Sequence, residues 1–186
     1  MKISGICGSL RDNSWNRTLL SIILESLNEK MKWNAKIENI NDIPLYNQDV
    51  EDIGMPSSVK TLRNNVQESD LIIFSTPTYN SSYSGVIKNI IDWLSRPPNC
   101  LNKKYGLVIC ATPGISGGLL SYTNLNQIIF HLGMKIMNQP KILVPNIENK
   151  ISSNGEIIDT KLKKTLSDSI NVLTKNLDSQ IPFESL

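Results

Sequence analysis

Histidine is almost missing from this 186-residue chain, and His131 is the only one. It falls late in a predicted helix beside Leu132, which suits a helix end or a core edge rather than catalysis. Cysteine is scarce too. Cys7, Cys100 and Cys110 are odd in number and lack C-x-x-C spacing, so no zinc site is expected. Cys7 and Cys110 lie in or near apolar runs, where a free thiol behaves as a small hydrophobe; that pattern suits a reducing compartment. An excess of charge is also absent. The net charge is +2, and the basic residues form no run interleaved with aromatics, so nucleic acid is not an expected partner. Lys103-Lys104 and Lys163-Lys164 are isolated pairs that read as solvated. No apolar run approaches membrane-spanning length, and the first residues enter a strand without a basic, apolar and cleavage-site leader. A cytoplasmic protein with no membrane partner is the expectation.

What remains is an ordinary globular composition, 40% hydrophobic and 19% charged, at a length suited to one domain over 1–186. Short apolar runs alternate with amphipathic stretches. Strands are predicted at Lys2–Cys7, 34–40, Leu71–Phe74, Tyr105–Ala111 and, interrupted by Pro140, Lys135–Val144. Helices are predicted from about Arg17 to Met31, Pro56 to Gln67, Gly85 to just before Arg96-Pro97-Pro98, Leu119 to Leu132, and Thr160 to Leu177. The helices carry apolar residues at three-and-four spacing, for example Leu20, Ile23, Leu24, Leu27 and Met31. The segment 41–55, with Pro44, Asn47 and Gly54, reads as a loop. Five strands alternating with helices give an α/β, flavodoxin-like three-layer sandwich. Its five-stranded parallel sheet has order 2-1-3-4-5 and helices on both faces. In that order the first, third and fourth strands are neighbours. The loops at their carboxyl ends, 8–16, 75–84 and 112–118, then converge on one crevice.

The first loop, Gly8 to Asn16, reads GSLRDNSWN. Hydroxyls, a guanidinium and amides precede a helix whose dipole and unpaired N–H groups favour an anion. It is neither G-x-G-x-x-G nor a Walker loop, so a terminal monophosphate fits better than a pyrophosphate or a nucleoside triphosphate. The bland alternative is helix capping by Ser14 or Asn16, for which Arg11 has no use. A thiolate phosphatase cradle does not fit: Arg11 is too near Cys7, and Asn13 stands where that Arg should be. A receiver domain lacks its carboxylate cluster here. The third loop, Ser75 to Ser84, has eight hydroxyl side chains and suits a flat polar cofactor; alternatively its hydroxyls only cap the next helix. The fourth, with Pro113, Gly114, Gly117 and Gly118, removes side chains so that a ligand can lie against backbone. Trp15, Trp33 and Trp93 read as packing residues.

GSLR-x-x-S-x-N, PTYN-x-S-x-x-G-x-x-K-N-x-I-D-W-L-S-R and TPG-x-x-GG, in that order, resemble the NAD(P)H-dependent FMN reductase family from about Met1 to Asn146. That family includes bacterial flavin, quinone, azo-dye and chromate reductases. The resemblance implies tightly bound FMN and NADPH or NADH as co-substrate. Position by position, it implies phosphate binding by Ser9, Arg11, Ser14 and Asn16. Pro77, Thr78, Tyr79, Asn80 and Ser81 would line the isoalloxazine ring. Pro113, Gly114, Gly117 and Gly118 would border its pyrimidine side. Two positions depart from the family: Thr78 where Glu is usual, and Leu120 where Arg is frequent. Both bear on subunit contacts around the site. The activity implied is ping-pong transfer of hydride from NAD(P)H through FMN to a quinone, flavin, azo compound or metal oxyanion, with no side chain acting as acid or base. A homodimer or homotetramer is implied by analogy. The alternative is a non-catalytic electron carrier or flavin-binding module of the same fold. Such carriers surround the cofactor with carboxylates, of which the three loops hold only Asp12.

Overall fold

The structure is a computed structural model and describes residues 1–152 and 154–180. Its strands are β1 (Lys2–Cys7), β2 (Asn34–Ile37), β3 (Leu71–Thr76), β4 (Tyr105–Ala111), β5 (Lys135–Ile136) and β6 (Ile142–Val144). Its helices are α1 (Trp15–Met31), α2 (Gln48–Ile53), α3 (Ser57–Gln67), α4 (Gly85–Leu94), α5 (Leu119–His131) and α6 (Thr160–Gln180). The sheet is parallel throughout, in the order β2-β1-β3-β4-β5, with β6 also paired to β4. The doubly wound order expected from the sequence is therefore present, with six strands among the described residues instead of five. The fifth strand divides because Pro140 has no N–H to give the ladder, so β4 takes its first pairing from β5 and its last from β6.

Leu71–Phe74 of β3 and Leu107–Ala111 of β4 are apolar without interruption because both faces are covered. Leu71 and Ile73 share one core with Leu20 and Leu24 of α1, on which Leu166 and Leu173 of α6 close the layer. Ile72 and Phe74 point the other way, toward Leu62, Ile87, Ile90 and Leu125 of α3, α4 and α5. Register follows: Ile73 of β3 lies between Gly5 of β1 and Leu107 of β4, so these three strands end at nearly one level. That shared level presents the loops after β1, β3 and β4 side by side. Several boundaries differ from the sequence reading. α1 starts at Trp15, two residues early, because Ser14 caps it. β2 stops at Ile37. The stretch 48–53, read as loop, is α2, a helix with no buried residue. Ile151 and Ile157 form an antiparallel bridge.

Candidate functional site

The three loops do converge. A cleft of about 270 Å³ lies between them. Ser9, Arg11, Ser14, Trp15 and Asn16 form one wall, Pro77, Thr78 and Tyr79 a second, and Ala111, Thr112 and Pro113 the third.

The wall after β1 is the polar one. Ser9 is 6% exposed, and its hydroxyl makes no hydrogen bond among the described residues. That hydroxyl faces the cleft and is free to donate to a ligand there. Ser14 accepts a hydrogen bond from the Arg17 N–H at 3.3 Å and so caps α1. As a hydroxyl it keeps its own proton to donate. The capping and anion-binding readings are therefore compatible at this residue. The N–H groups of Trp15 and Asn16 belong to the first turn of a 17-residue helix, where no intrahelical acceptor exists. Arg11 donates to the Asn13 carbonyl at 2.8 Å, and its guanidinium lies 5.1 Å from the Trp15 ring centre. The side chain is thus held at the cleft by its own loop. An unpartnered hydroxyl, a guanidinium and free first-turn N–H groups form a donor set suited to a phosphate.

Asn16 does something the sequence did not disclose. Its amide nitrogen donates to the Ala111 carbonyl at 2.9 Å, and its amide oxygen accepts from the Ala111 N–H at 3.0 Å. Ser75 donates to the Asn16 carbonyl at 2.9 Å. One residue thereby ties the start of α1 to the ends of β3 and β4, and only its backbone N–H remains for a ligand.

The second wall is a tight hairpin. Tyr79 and Ser82 exchange backbone hydrogen bonds of 2.9 Å in both directions. Asn80 and Ser81 between them adopt φ of 48° and 61°, the signature of a type I′ turn. Its base is fixed by Thr76, whose buried hydroxyl accepts from the Ser84 N–H at 3.1 Å; Ser84 in turn caps α4. The third wall joins the second through Ser121, which donates to the Thr78 hydroxyl at 2.9 Å. Gly118 begins α5 at φ 87°, and a Cβ there would stand 2.7 Å from that of Cys110. Gly117, at φ 61°, would crowd Leu143 and Pro145. The glycine pair is thus demanded by chain packing at the end of β4.

Eight of the thirteen residues singled out from the sequence line the cleft: Ser9, Arg11, Ser14, Asn16, Pro77, Thr78, Tyr79 and Pro113. Asn80 and Ser81 lie at the hairpin tip, Gly114 on the exposed loop, and Gly117 and Gly118 behind the wall. Trp15, Ala111 and Thr112 line it as well and were not singled out. The position of Trp15 inside the first loop was the available signal; nothing marked the other two. Cys7 is not a nucleophile here. Burial pushes its thiol up from the ordinary value, and the thiol points to the Ser9 carbonyl at 3.5 Å. His131 ends α5, away from the cleft.

The long motif through α4 has a structural share. Asn89 and Trp93 both donate to the Pro44 carbonyl, at 2.9 and 2.8 Å, and Arg96 lies 5.0 Å over the Tyr46 ring. These residues pin the segment after β2 onto α4, outside the cleft wall.

Residues 1–149 match the family described as NADPH-dependent FMN reductase. The NAD(P)H-dependent FMN reductase of Pseudomonas aeruginosa is 32% identical over 174 residues, covering 93% of each chain. A quinone reductase of Escherichia coli is 35% identical over 162 residues, covering 86% of each. Among solved structures, the flavoenzyme NAD(P)H:(acceptor) oxidoreductase of Paracoccus denitrificans superposes with a TM-score of 0.84 at 30% identity, over 96% of this chain and 97% of that one.

Proposed function

The chain belongs to the NADPH-dependent FMN reductase family, and from that premise we propose that the cleft binds FMN and reduces quinone-type acceptors with electrons from NAD(P)H. The observation that carries this reading is the donor set after β1: the unpartnered Ser9 hydroxyl, Arg11 and the first-turn N–H groups of α1. Ser9, Arg11, Ser14 and the Asn16 backbone would hold the phosphate. Pro77, Thr78 and Tyr79 would lie along one edge of the ring system. Thr112 and Pro113, with the neighbouring Gly114 backbone, would lie along the other.

When bound, FMN supplies the redox chemistry, accepting hydride from NAD(P)H and delivering two electrons to the acceptor. The residues around it bind, orient and exclude water. None of the side chains lining the cleft is a carboxylate or a histidine, which accords with a reaction in which no side chain is acid or base. Reductant and acceptor share one mouth between the same three loops, which favours their taking turns in a ping-pong order. Three buried, unpaired thiols are in keeping with a reducing, cytoplasmic setting. No helix among the described residues is long and apolar enough to cross a membrane. A homodimer or homotetramer is the proposed assembly. It is supported by α2, which buries nothing, by its last residue Ile53, 90% exposed, and by Leu45 just before it, 82% exposed.

The test is steady-state NAD(P)H oxidation with a quinone. Saturable turnover at catalytic protein concentration supports the enzyme. An electron carrier that holds FMN but shows almost no such turnover would replace this reading.

A further inference from the structure

The rim of the cleft differs from its floor. Leu10, between Ser9 and Arg11, is 52% exposed. Tyr79 is 53% exposed on the facing hairpin, and Ile115, two residues beyond Pro113, is 88% exposed. Leu119 and Leu120, at 50% and 55%, open the turn of α5 whose Ser121 reaches Thr78. Among the described residues, five of the ten large hydrophobic side chains left exposed therefore stand on these three loops or in the helical turn that follows the last of them. Residues 75–84 and 112–120 contain no charged side chain at all. Of these, Tyr79 lines the cleft itself and the others flank its lining residues; exposed apolar side chains gathered as a collar beside a polar cavity are a feature that a folded chain keeps for a ligand or a partner.

Resting on the function proposed above, we propose that Leu10, Ile115, Leu119 and Leu120 form the subsite for the apolar substituent of the electron acceptor. They select alkyl-substituted, uncharged quinones over bare or anionic acceptors. The overall reaction is unchanged: NAD(P)H and one proton reduce the quinone to hydroquinone and leave NAD(P)⁺. What the collar sets is which quinone is held. An apolar tail laid across it removes both surfaces from water, and a fully buried methylene is worth about fourfold in affinity. An oxyanion gains nothing there. It would shed water against leucine and isoleucine, and Arg11 is committed to the FMN phosphate in the function proposed above. Leu120 is the decisive position, because it occupies the first turn of α5 without bringing a charge to the mouth.

The test uses the FMN-loaded protein and dimethoxy-methyl-benzoquinones carrying no tail, a propyl tail or a pentyl tail. Dissociation constants of the oxidised protein are read from quenching of flavin fluorescence, and kcat/KM from NADPH oxidation. The expected result is tightening by about two- to fourfold per methylene over the first few carbons. In the double variant Ile115→Ser, Leu120→Ser the ratio of tailed to tailless affinity falls at least threefold. Both sites are exposed, so folding is not at risk. Leu120→Arg is expected to shift preference from menadione toward naphthoquinone sulfonate, and salt is expected to erase that shift. Affinity independent of tail length overturns the proposal. So does a double variant that changes the sedimenting mass while leaving the tail ratio intact, since the collar is then a contact between copies of this chain. Failure of NADPH to reduce the bound flavin overturns the function itself. The dissociation constants still decide the collar in that case.

Discussion

At the scale of single residues, the proposed function separates groups that would bind FMN from groups that hold the wall of the cleft. Arg11, in the loop after β1, and Asn16, in the first turn of α1, stand five positions apart and should respond in opposite ways. Arg11 offers a charge-assisted contact of about 1.5–3 kcal/mol to a phosphate. It is exposed, and its one hydrogen bond stays within its own loop. Arg11→Ala is expected to raise the dissociation constant for FMN by roughly ten- to a hundredfold, measured by fluorescence quenching, and to leave the melting temperature of the FMN-free protein unchanged. Asn16→Ala strands the buried N–H and carbonyl of Ala111. It should cost the FMN-free protein about 2–4 kcal/mol in urea unfolding. The loop's composition pointed to an anion site or a helix cap. Nothing in it announced this strut, because sequence spacing does not say which distant backbone an amide will meet.

The thiols give a second test at this scale. Burial pushes Cys110 up to about 12 and raises Cys7 and Cys100 as well. All three should resist Ellman's reagent near neutral pH until the protein is denatured. A folded pKa above the unfolded value means that the buried neutral thiol contributes its stability in full below about pH 9. That contribution is lost as the pH rises toward 12. Unfolding free energy should therefore fall across that window, and less steeply in Cys110→Ala.

At the scale of elements, the strands and long helices were legible because each has an apolar face that must be covered. α2 was not, since it buries nothing and so leaves no periodic trace. Its position comes from outside contacts: Tyr46 donates to Glu51 at 2.9 Å, and the preceding segment is pinned by Asn89 and Trp93 of α4. The end of α4 depends on an equally hidden group. Arg63 of α3 is buried and donates to the carbonyls of Trp93, Arg96 and Pro98 at 2.6, 3.0 and 2.8 Å, with a longer contact to Leu94. A guanidinium fork at a helix C-terminus satisfies carbonyls that the helix cannot. Arg63→Ala should destabilise the protein by about 3 kcal/mol or more. Lysine, with a point charge and no fork, should recover less than half of that. Circular dichroism against urea concentration measures both. From sequence, Arg63 looks like any charge on an amphipathic helix.

At the scale of the whole molecule, strand order decides where the site lies. With β1 between β2 and β3, and β4 beyond β3, three loops far apart in the chain share one end of the sheet. That placement was readable from the alternation of elements alone. Splitting of the last strand at Pro140 alters the far edge and leaves the crevice untouched. Exposed Leu45 and Ile53 predict self-association: sedimentation velocity should give a dimer or larger, and Leu45→Ser with Ile53→Ser should shift it toward the monomer. The most direct test of the central claim is spectroscopic. Protein mixed with FMN and freed of unbound cofactor is predicted to keep one FMN per chain and its yellow colour, and to bleach when NADPH is added without oxygen. A colourless protein, or a colour that NADPH leaves unchanged, would contradict the account.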